Sequence, residues 1–484
     1  MNLAGGTELP DFVTNPRLPR TIPQRSNDGS VVRIRTRGLS PASHGCEDLT
    51  VSGFLTRRLN TFFGLEPGDV RNLSFLYFAT FVMRAAAFAG VAVMQHVMYP
   101  DTKDQFWKGL LFAVYPLAEI VSVGYFGALC DRLGRKRILV LAHLVTAAAV
   151  FLFIPAVAPP NPFVAAIVFT MFGIGAAAKV ASTLAMVNDH ATSANRAQLF
   201  AFFDLVTFGG LVGGFGAGFL ALNALQVREA TVLAVAGAVV MVSVVMVQAL
   251  VRETDFSPEP QHRTLDLLRK VLSNPDIRRL LPVYVPVVAL YGYVLTFTDH
   301  LIGTPGQCPA NSMGDLVKVV LSIGAPLGVS LAVSGRLSDR FASRRPFMGF
   351  GLACFGGLAV LLALATRPGG CADLAQLASR WPLIVALAAG AGTFPPAALA
   401  YLGDIVTRSI SGTTFGIYSI IFGSGLIIGP VLGGTLTEAI GPLAFGVIAL
   451  GLIAIAGVGV AFIREPAKSP QPAPAEIAVP PEMR

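Results

Sequence analysis

Among the ionisable side chains inside or at the edge of long apolar runs are Arg84, Glu119, Lys179, Asp204, Asp299 and His300. A charge at the centre of hydrocarbon is costly, and by default it marks a solute or proton pathway. Arg84 can hold an anionic group or pair with Glu119, whose protonation would release it; a permanent structural bridge between the two is the competing reading. Residues seven or eleven apart share a helical face, so Tyr77, Arg84 and Gln95 align on one helix, and Tyr115, Glu119 and Ser122 align similarly on the next. Lys179 can face the same cavity, or its long stem can carry the ammonium to the membrane interface. Asp204 lies one turn inside its run and suits cytoplasmic gate chemistry or a proton site. Histidine titrates near physiological pH, so Asp299 and His300 suit a proton site, an outer gate or a solvated helix end. Tyr284, Tyr291 and Thr298 share another face, for which packing and substrate contact are both open. The expected substrate contacts are Arg84, Tyr115, Glu119, Lys179 and Tyr291; the expected proton-coupling groups are Glu119, Asp204, Asp299 and His300.

The elements that must position these groups are membrane helices. Of 484 residues 54% are hydrophobic and 13% charged, against about 25% charged in soluble proteins. With 50 Gly and 33 Pro, this is the composition of a polytopic membrane protein rather than a soluble enzyme. Apolar segments of the length needed to cross about 30 Å of hydrocarbon fall at 73–97, 107–129, 138–158, 163–187, 199–222, 229–251, 280–302, 316–335, 346–366, 381–401, 413–436 and 442–463. The predicted organisation is a polar tail over 1–72, six spans over 73–251, a central loop over 252–279, six spans over 280–463 and a Pro-rich tail over 464–484. Within the first tail, Val51, Phe54, Leu55, Leu59, Phe62 and Phe63 recur at helical spacing, the pattern of a short helix lying on the membrane or of an ordinary linker. Pro395-Pro396 must interrupt the backbone bonding of the tenth span.

Basic loops stay cytoplasmic. With both termini inside, cytoplasmic segments hold 28 of the 36 Lys and Arg, and outer loops hold five: Lys103, Lys108, Arg228, Arg367 and Arg380. The net charge of +8 therefore reports topology, and a nucleic-acid partner is excluded for want of a basic patch on a soluble fold. Cys308 and Cys371 both fall in outer loops, where either a disulfide or two free thiols would fit.

The chain repeats itself. Gly127-Ala-Leu-Cys-Asp131-Arg132-Leu-Gly134-Arg135 returns 208 residues later as Gly335-Arg-Leu-Ser-Asp339-Arg340. Asp189, Phe200, Gly210, Gly214 and Gly218 return 215 residues later as Asp404, Phe415, Gly425, Gly429 and Gly433. Two versions of one six-span unit suggest two bundles with a site between them at the membrane midplane.

The first of these loops closely resembles the signature of the major facilitator superfamily between its second and third helices, and the second resembles the weaker counterpart between helices eight and nine. The resemblance covers about 73–463 and implies an all-α fold of twelve transmembrane helices in two pseudo-symmetric six-helix bundles, both termini cytoplasmic. It further implies that Gly127, Asp131, Arg132, Gly134 and Arg135, with Gly335, Asp339 and Arg340 in the second copy, form a conformational latch. The first copy is expected to hold the outward-facing state by contact with the start of helix eleven. Gly127 is expected to admit a neighbouring helix, and Asp131 to accept from an Arg or a helix N-terminus. The family's antiporters carry a Gly-Pro-Gly pattern in helix five that here stands in span eleven, as Gly425 to Gly434. Its drug antiporters usually carry an Arg in helix four where this chain has Phe169. Both departures weaken a multidrug reading.

No metal cluster, phosphate-binding Gly-rich loop or nucleophile triad appears in the sequence, so no enzyme activity and no cofactor are expected. The expectation is a multi-pass plasma-membrane monomer that moves a small solute through the bilayer by alternating access, driven by a proton or ion gradient. A small organic anion is the leading substrate class, on account of Arg84 and Lys179. Export of drug-like amphipathic compounds is the alternative, and a non-transporting receptor or lipid-handling scaffold is a reading of another class.

Overall fold

The computed structural model describes residues 65–99, 104–191, 195–223, 225–254, 269, 273–298, 312–341, 343–366, 372–405, 411–441 and 443–464. Among them are twelve helices long and apolar enough to cross a membrane. The first six are Pro67–Val97, Gln105–Leu133, Arg135–Val157, Pro162–His190, Arg196–Asn223 and Glu229–Leu250. The seventh to ninth are Pro275–Thr296, Met313–Arg340 and Arg345–Ala365. The tenth is broken into Trp381–Ala391 and Phe394–Ile405, and Ser411–Ile440 and Leu443–Phe462 follow.

Local chemistry sets several starts. Asn161 accepts from the backbone N–H groups of Phe163 and Val164, and Asn274 from those of Asp276 and Ile277, each followed by a Pro at the first helical position. These are side-chain caps next to a residue whose missing N–H costs nothing there. The seventh span begins five residues before its apolar run, because a polar first turn is still helical once it is capped. Lys108, counted above with the outer loops, lies in the first turn of the second span and is fully buried.

The break in the tenth span falls at Gly392-Thr393, immediately before the two prolines. The freed Gly392 carbonyl accepts from the Ser334 hydroxyl at 3.1 Å, and the Thr393 hydroxyl donates to the Phe347 carbonyl at 3.0 Å. The eighth span thus supplies a donor that the interrupted helix lacks, and the Thr393 hydroxyl ties the break to the ninth.

Within the first half, span one packs on five and six, and span four on two and three. Within the second, seven packs on eleven and twelve, and ten on eight and nine. The repeated glycines make equivalent contacts in each half. An added Cβ at Gly210, Gly214 or Gly218 of span five would meet span one at Arg84, Ala85 and Ala89 respectively, and at Gly425, Gly429 or Gly433 of span eleven it would meet span seven at Val288, Ala289 and Tyr293. Each half has its own apolar core, around Phe88, Phe153 and Phe169 in the first and around Tyr284, Phe394 and Tyr401 in the second.

The halves meet at two ends. Toward the ends of spans two and eleven remote from the Asp131 loop, Gly109 lies against the Pro430 carbonyl and Gly434 against that of Gln105. There the Phe106 N–H donates to Glu438 at 2.8 Å, and Gln95 donates to the Thr296 carbonyl at 2.5 Å. Toward the basic end, span five meets span eight, with Gly335 beside Ala201 and Gly328 beside Leu205.

Candidate functional site

Between these two sets of contacts lies a cavity walled by spans one, two, four and five on one side and by seven and eleven on the other. Four ionisable side chains line it, Arg84, Glu119, Lys179 and Asp204, one from each wall helix of the first half. The second half contributes Tyr291, Thr296 and Ser419 as its polar groups. The helical registers explain the gathering. Tyr77, Arg84 and Gln95 do share a face, and each bonds to another helix: Tyr77 to the Leu199 carbonyl at 2.9 Å, Arg84 to the Tyr115 hydroxyl at 3.3 Å, Gln95 to Thr296 as above.

The expected direct pairing of Arg84 with Glu119 is not made. No ion pair joins them; the Arg84 guanidinium donates to Tyr115 instead and lies 5.4 Å from the centre of the Phe88 ring. Glu119 is 6% exposed and interacts electrostatically with both Arg84 and Lys179. Lys179 is fully buried, so its stem does not carry the charge to an interface. Its ammonium has no hydrogen-bond acceptor among the described residues and sits over the Phe203 ring at 5.1 Å. Asp204, for which the sequence leaves a gate and a proton site both open, lines the cavity, close enough to Lys179 and Tyr77 to interact with both.

Aromatic rings form much of the remaining wall. Tyr291, Phe208 and Phe422 come from spans seven, five and eleven, with ring centres 5.4 to 6.3 Å apart. The Tyr291 hydroxyl is buried in the cavity without a partner. Its face-mate Tyr284 does not reach the cavity and stacks on Phe394, and Thr298 bonds back to the Val294 carbonyl. Asp299 and His300 lie outside the described residues, as do Cys308, Cys371 and the segment 51–63. Thr207, Thr296 and Ser419 line the cavity and were not singled out in the sequence. Single hydroxyls in apolar helices commonly bond to their own backbone, so nothing in their type marks them.

The cavity holds about 80 Å³. That accommodates a few waters and falls well below the roughly 300 Å³ of a small-molecule site. A solute would fit once the halves part.

The repeated loop is a second construction. Gly134 adopts φ +96°, which favours glycine, and an added Cβ there would also strike the Glu253 carboxylate at 2.7 Å. Glu253 accepts from the backbone N–H groups of Arg135 at 3.0 Å and Lys136 at 3.1 Å, so it, from beyond span six, caps the N-terminus of span three. Arg135 forms an ion pair with Asp189 and donates to the Ala185 carbonyl at 2.7 Å, tying span three to the end of span four. Thr254 donates to the same Asp189 carboxylate at 2.5 Å. Sequence reading missed Glu253, since a carboxylate just past a span is ordinary surface chemistry until the chain folds back. Gly127 does not serve close packing as expected: an added Cβ would meet nothing within 4 Å. Its repeat partner Gly335 does face another helix, 3.4 Å from Ala201. Asp131 and Arg132 engage in interactions at this same end, whereas the side chains of Asp339, Arg340 and the start of span eleven lie outside the described residues.

Comparison with known proteins agrees with this architecture. The sequence profile of the Major Facilitator Superfamily matches residues 73–306 and 311–481. The chain is 34% identical to the puromycin resistance protein pur8 of Streptomyces alboniger over 168 residues, 34% of this chain and 31% of that one. The likeness thus spans about a third of the relative's length. Among solved structures, the human organic anion transporter MFSD10 (TETRAN) superposes with a TM-score of 0.61 at 14% identity, covering 82% of this chain and all of that one, a likeness of fold.

Proposed function

The chain belongs to the Major Facilitator Superfamily and is a multi-pass membrane transporter rather than an enzyme, and on that footing we propose that it moves a small organic anion by alternating access, with the proton as coupling ion. The observation that carries the reading is the Lys179 ammonium, fully buried at the cavity with no hydrogen-bond acceptor among the described residues. Glu119 and Asp204 act on this ammonium only at a distance; a buried charge that lacks a direct hydrogen-bonded partner is destabilising, and an anionic solute supplies one.

Coupling follows from the arithmetic of the same four groups. Arg84 and Lys179 balance Glu119 and Asp204 when all are ionised. A proton taken up by either carboxylate leaves one positive charge in excess, which one carboxylate or sulfonate of a substrate neutralises. Proton and anion then bind more tightly together than apart, which is a coupling free energy between two sites. The contacts of spans two and eleven at one end and five and eight at the other are the natural gates of the cycle. We place the protein in the plasma membrane as a monomer, since one chain lines the whole cavity, with both termini cytoplasmic on the asymmetry of its basic residues.

The test is uptake of a panel of labelled organic anions and cationic dyes into proteoliposomes, with and without an imposed proton gradient, for the wild type, Arg84→Gln and Lys179→Met. Gradient-dependent anion flux that collapses in both variants supports the reading. Anion flux indifferent to both substitutions overturns it. A second reading, export of amphipathic compounds, is favoured by the aromatic wall of Phe88, Phe172, Phe208 and Phe422 and by the partial likeness to a puromycin resistance protein. Dye flux unaffected by Lys179→Met would select it.

A further inference from the structure

A groove runs on the outer surface of the second bundle, between the start of span seven and the end of span twelve, remote from the cavity. Arg278, Arg279 and Pro282 line one wall, and Ile455, Val458 and Phe462 the other. Its floor is set by Gly459, where an added Cβ would meet the Val283 side chain at 2.8 Å and the Pro282 carbonyl oxygen at 3.2 Å. The two helices touch there.

The walls differ in chemistry. Ile455, Val458 and Phe462 recur at helical spacing and are 52%, 60% and 70% exposed, a stripe that faces lipid in a membrane-spanning helix. The head of the groove is basic. Arg279 is already paired with Asp276 at 2.7 Å, whereas Arg278 is exposed and has no ion-pair partner among the described residues. No carboxylate lines the groove. The N-terminus of span seven adds its partial positive charge at the same place, and Arg345 and Arg464 stand at the same end of span twelve, Arg345 bonded to the Ala461 carbonyl at 3.0 Å.

An uncompensated guanidinium at the head of a lipid-facing apolar groove matches one class of molecule in every dimension: a phosphate with net negative charge, carrying acyl chains. We propose that this groove binds an anionic phospholipid, its phosphate held by Arg278 and Arg279 and one acyl chain laid along Ile455, Val458 and Phe462. Arginine suits the role because its planar fork meets phosphate oxygens two at a time, and basic pockets between membrane helices are where anionic headgroups settle. A zwitterionic lipid brings its own cation to the same point and loses the advantage. The site differs from the transport cavity in helices, in exposure and in ligand, so it stands whether or not the solute is an anion.

The experiment is native mass spectrometry of the full-length protein released from detergent, after exposure to phosphatidylglycerol or to phosphatidylcholine with the same acyl chains. Expected is preferential retention of one phosphatidylglycerol, reduced about fivefold by Arg278→Gln and further by Arg278→Gln with Arg279→Gln. Arg278→Lys with Arg279→Lys should retain most of it. Millimolar inorganic phosphate should not displace it; displacement would assign the arginines to a soluble anion and overturn the lipid site. Equal retention of the two lipids, or phosphatidylglycerol retention unchanged by Arg278→Gln, would also overturn it. Should the double variant fail to fold, the single Arg278→Gln decides, since Arg278 holds no ion-pair partner among the described residues.

Discussion

Arg84 reaches from span one to donate to the Tyr115 hydroxyl of span two at 3.3 Å, and so stands beside Glu119 without forming an ion pair with it. Because its hydrogen bond goes to the tyrosine, the guanidinium keeps that bond whatever the charge of the neighbouring carboxylate. Tyr115→Phe removes that bond, and a hydrogen bond to a charged group is worth about 1.5–3 kcal/mol. Anion flux is expected to fall about tenfold or more, with the fold retained by circular dichroism.

Glu119→Gln fixes the carboxyl as neutral. The expected outcome is anion binding that persists, with flux that no longer responds to an imposed proton gradient; uptake at several outside pH values checks this. Flux that still follows the gradient would move the coupling role to Asp204.

Lys179→Met removes a buried ammonium that has no hydrogen-bond acceptor among the described residues and replaces it with a side chain of similar length. Because an unpaired charge in an apolar setting is a liability, the melting temperature in detergent should hold or rise. Anion uptake should meanwhile fall about thirtyfold or more, the loss of a buried charge contact worth about 2 kcal/mol or above. Opposite signs for stability and transport are the signature to look for.

The Arg135–Asp189 pair makes a different forecast. Both side chains are mostly shielded, at 8% and 14% exposure, and breaking a buried pair from one side leaves the other charge uncompensated. Arg135→Ala and Asp189→Asn should each lower stability by about 2 kcal/mol, and the double variant by much less than the sum, which a double-mutant cycle on thermal unfolding would read.

Two glycines separate packing from sequence resemblance. At Gly429 an added Cβ would overlap the Ala289 carbonyl, so Gly429→Leu should prevent the bundle from closing, at an overpacking cost of about 1–3 kcal/mol or more. At Gly127 nothing lies within 4 Å, and alanine in a helix interior is favoured over glycine by about 1 kcal/mol. Gly127→Ala should therefore raise the melting temperature and leave transport intact; a loss of transport would mean that another conformation uses the space.

Hydrophobic length alone located the twelve spans, because a bilayer imposes one dimension on every crossing helix. The internal repeat was legible as two versions of one six-span unit, whereas the pairing of span one with five and of seven with eleven came only with the fold, where the repeated glycines let those backbones approach. The cavity was legible as far as single helices go: Arg84, Tyr115, Glu119, Lys179 and Tyr291 all reach it. What spans cannot tell is which faces meet. Asp204 read as gate chemistry or a proton site from its depth in span five, and the packing of five against one turns it toward Lys179. Tyr284 and Tyr291 share a face by spacing but part company, one stacking on Phe394 and one entering the cavity, because two neighbours divide that face. Glu253 was invisible for the same reason, its partners being more than a hundred residues away.

Arg84, Glu119, Lys179 and Asp204 all belong to the first bundle, and with all four ionised their charges cancel. In a rocking cycle the empty carrier would therefore turn without moving net charge through the electric field, whatever the fraction of that field the cavity senses. A full elementary charge crossing it would feel about 2.3 kcal/mol per 100 mV. A proton and a monovalent anion carried together add nothing to that sum, so such a cycle runs silently with respect to voltage, and a divalent anion with one proton does not. Current recorded across a clamped membrane thus reads substrate valence from the balance of one guanidinium, one ammonium and two carboxylates in one wall.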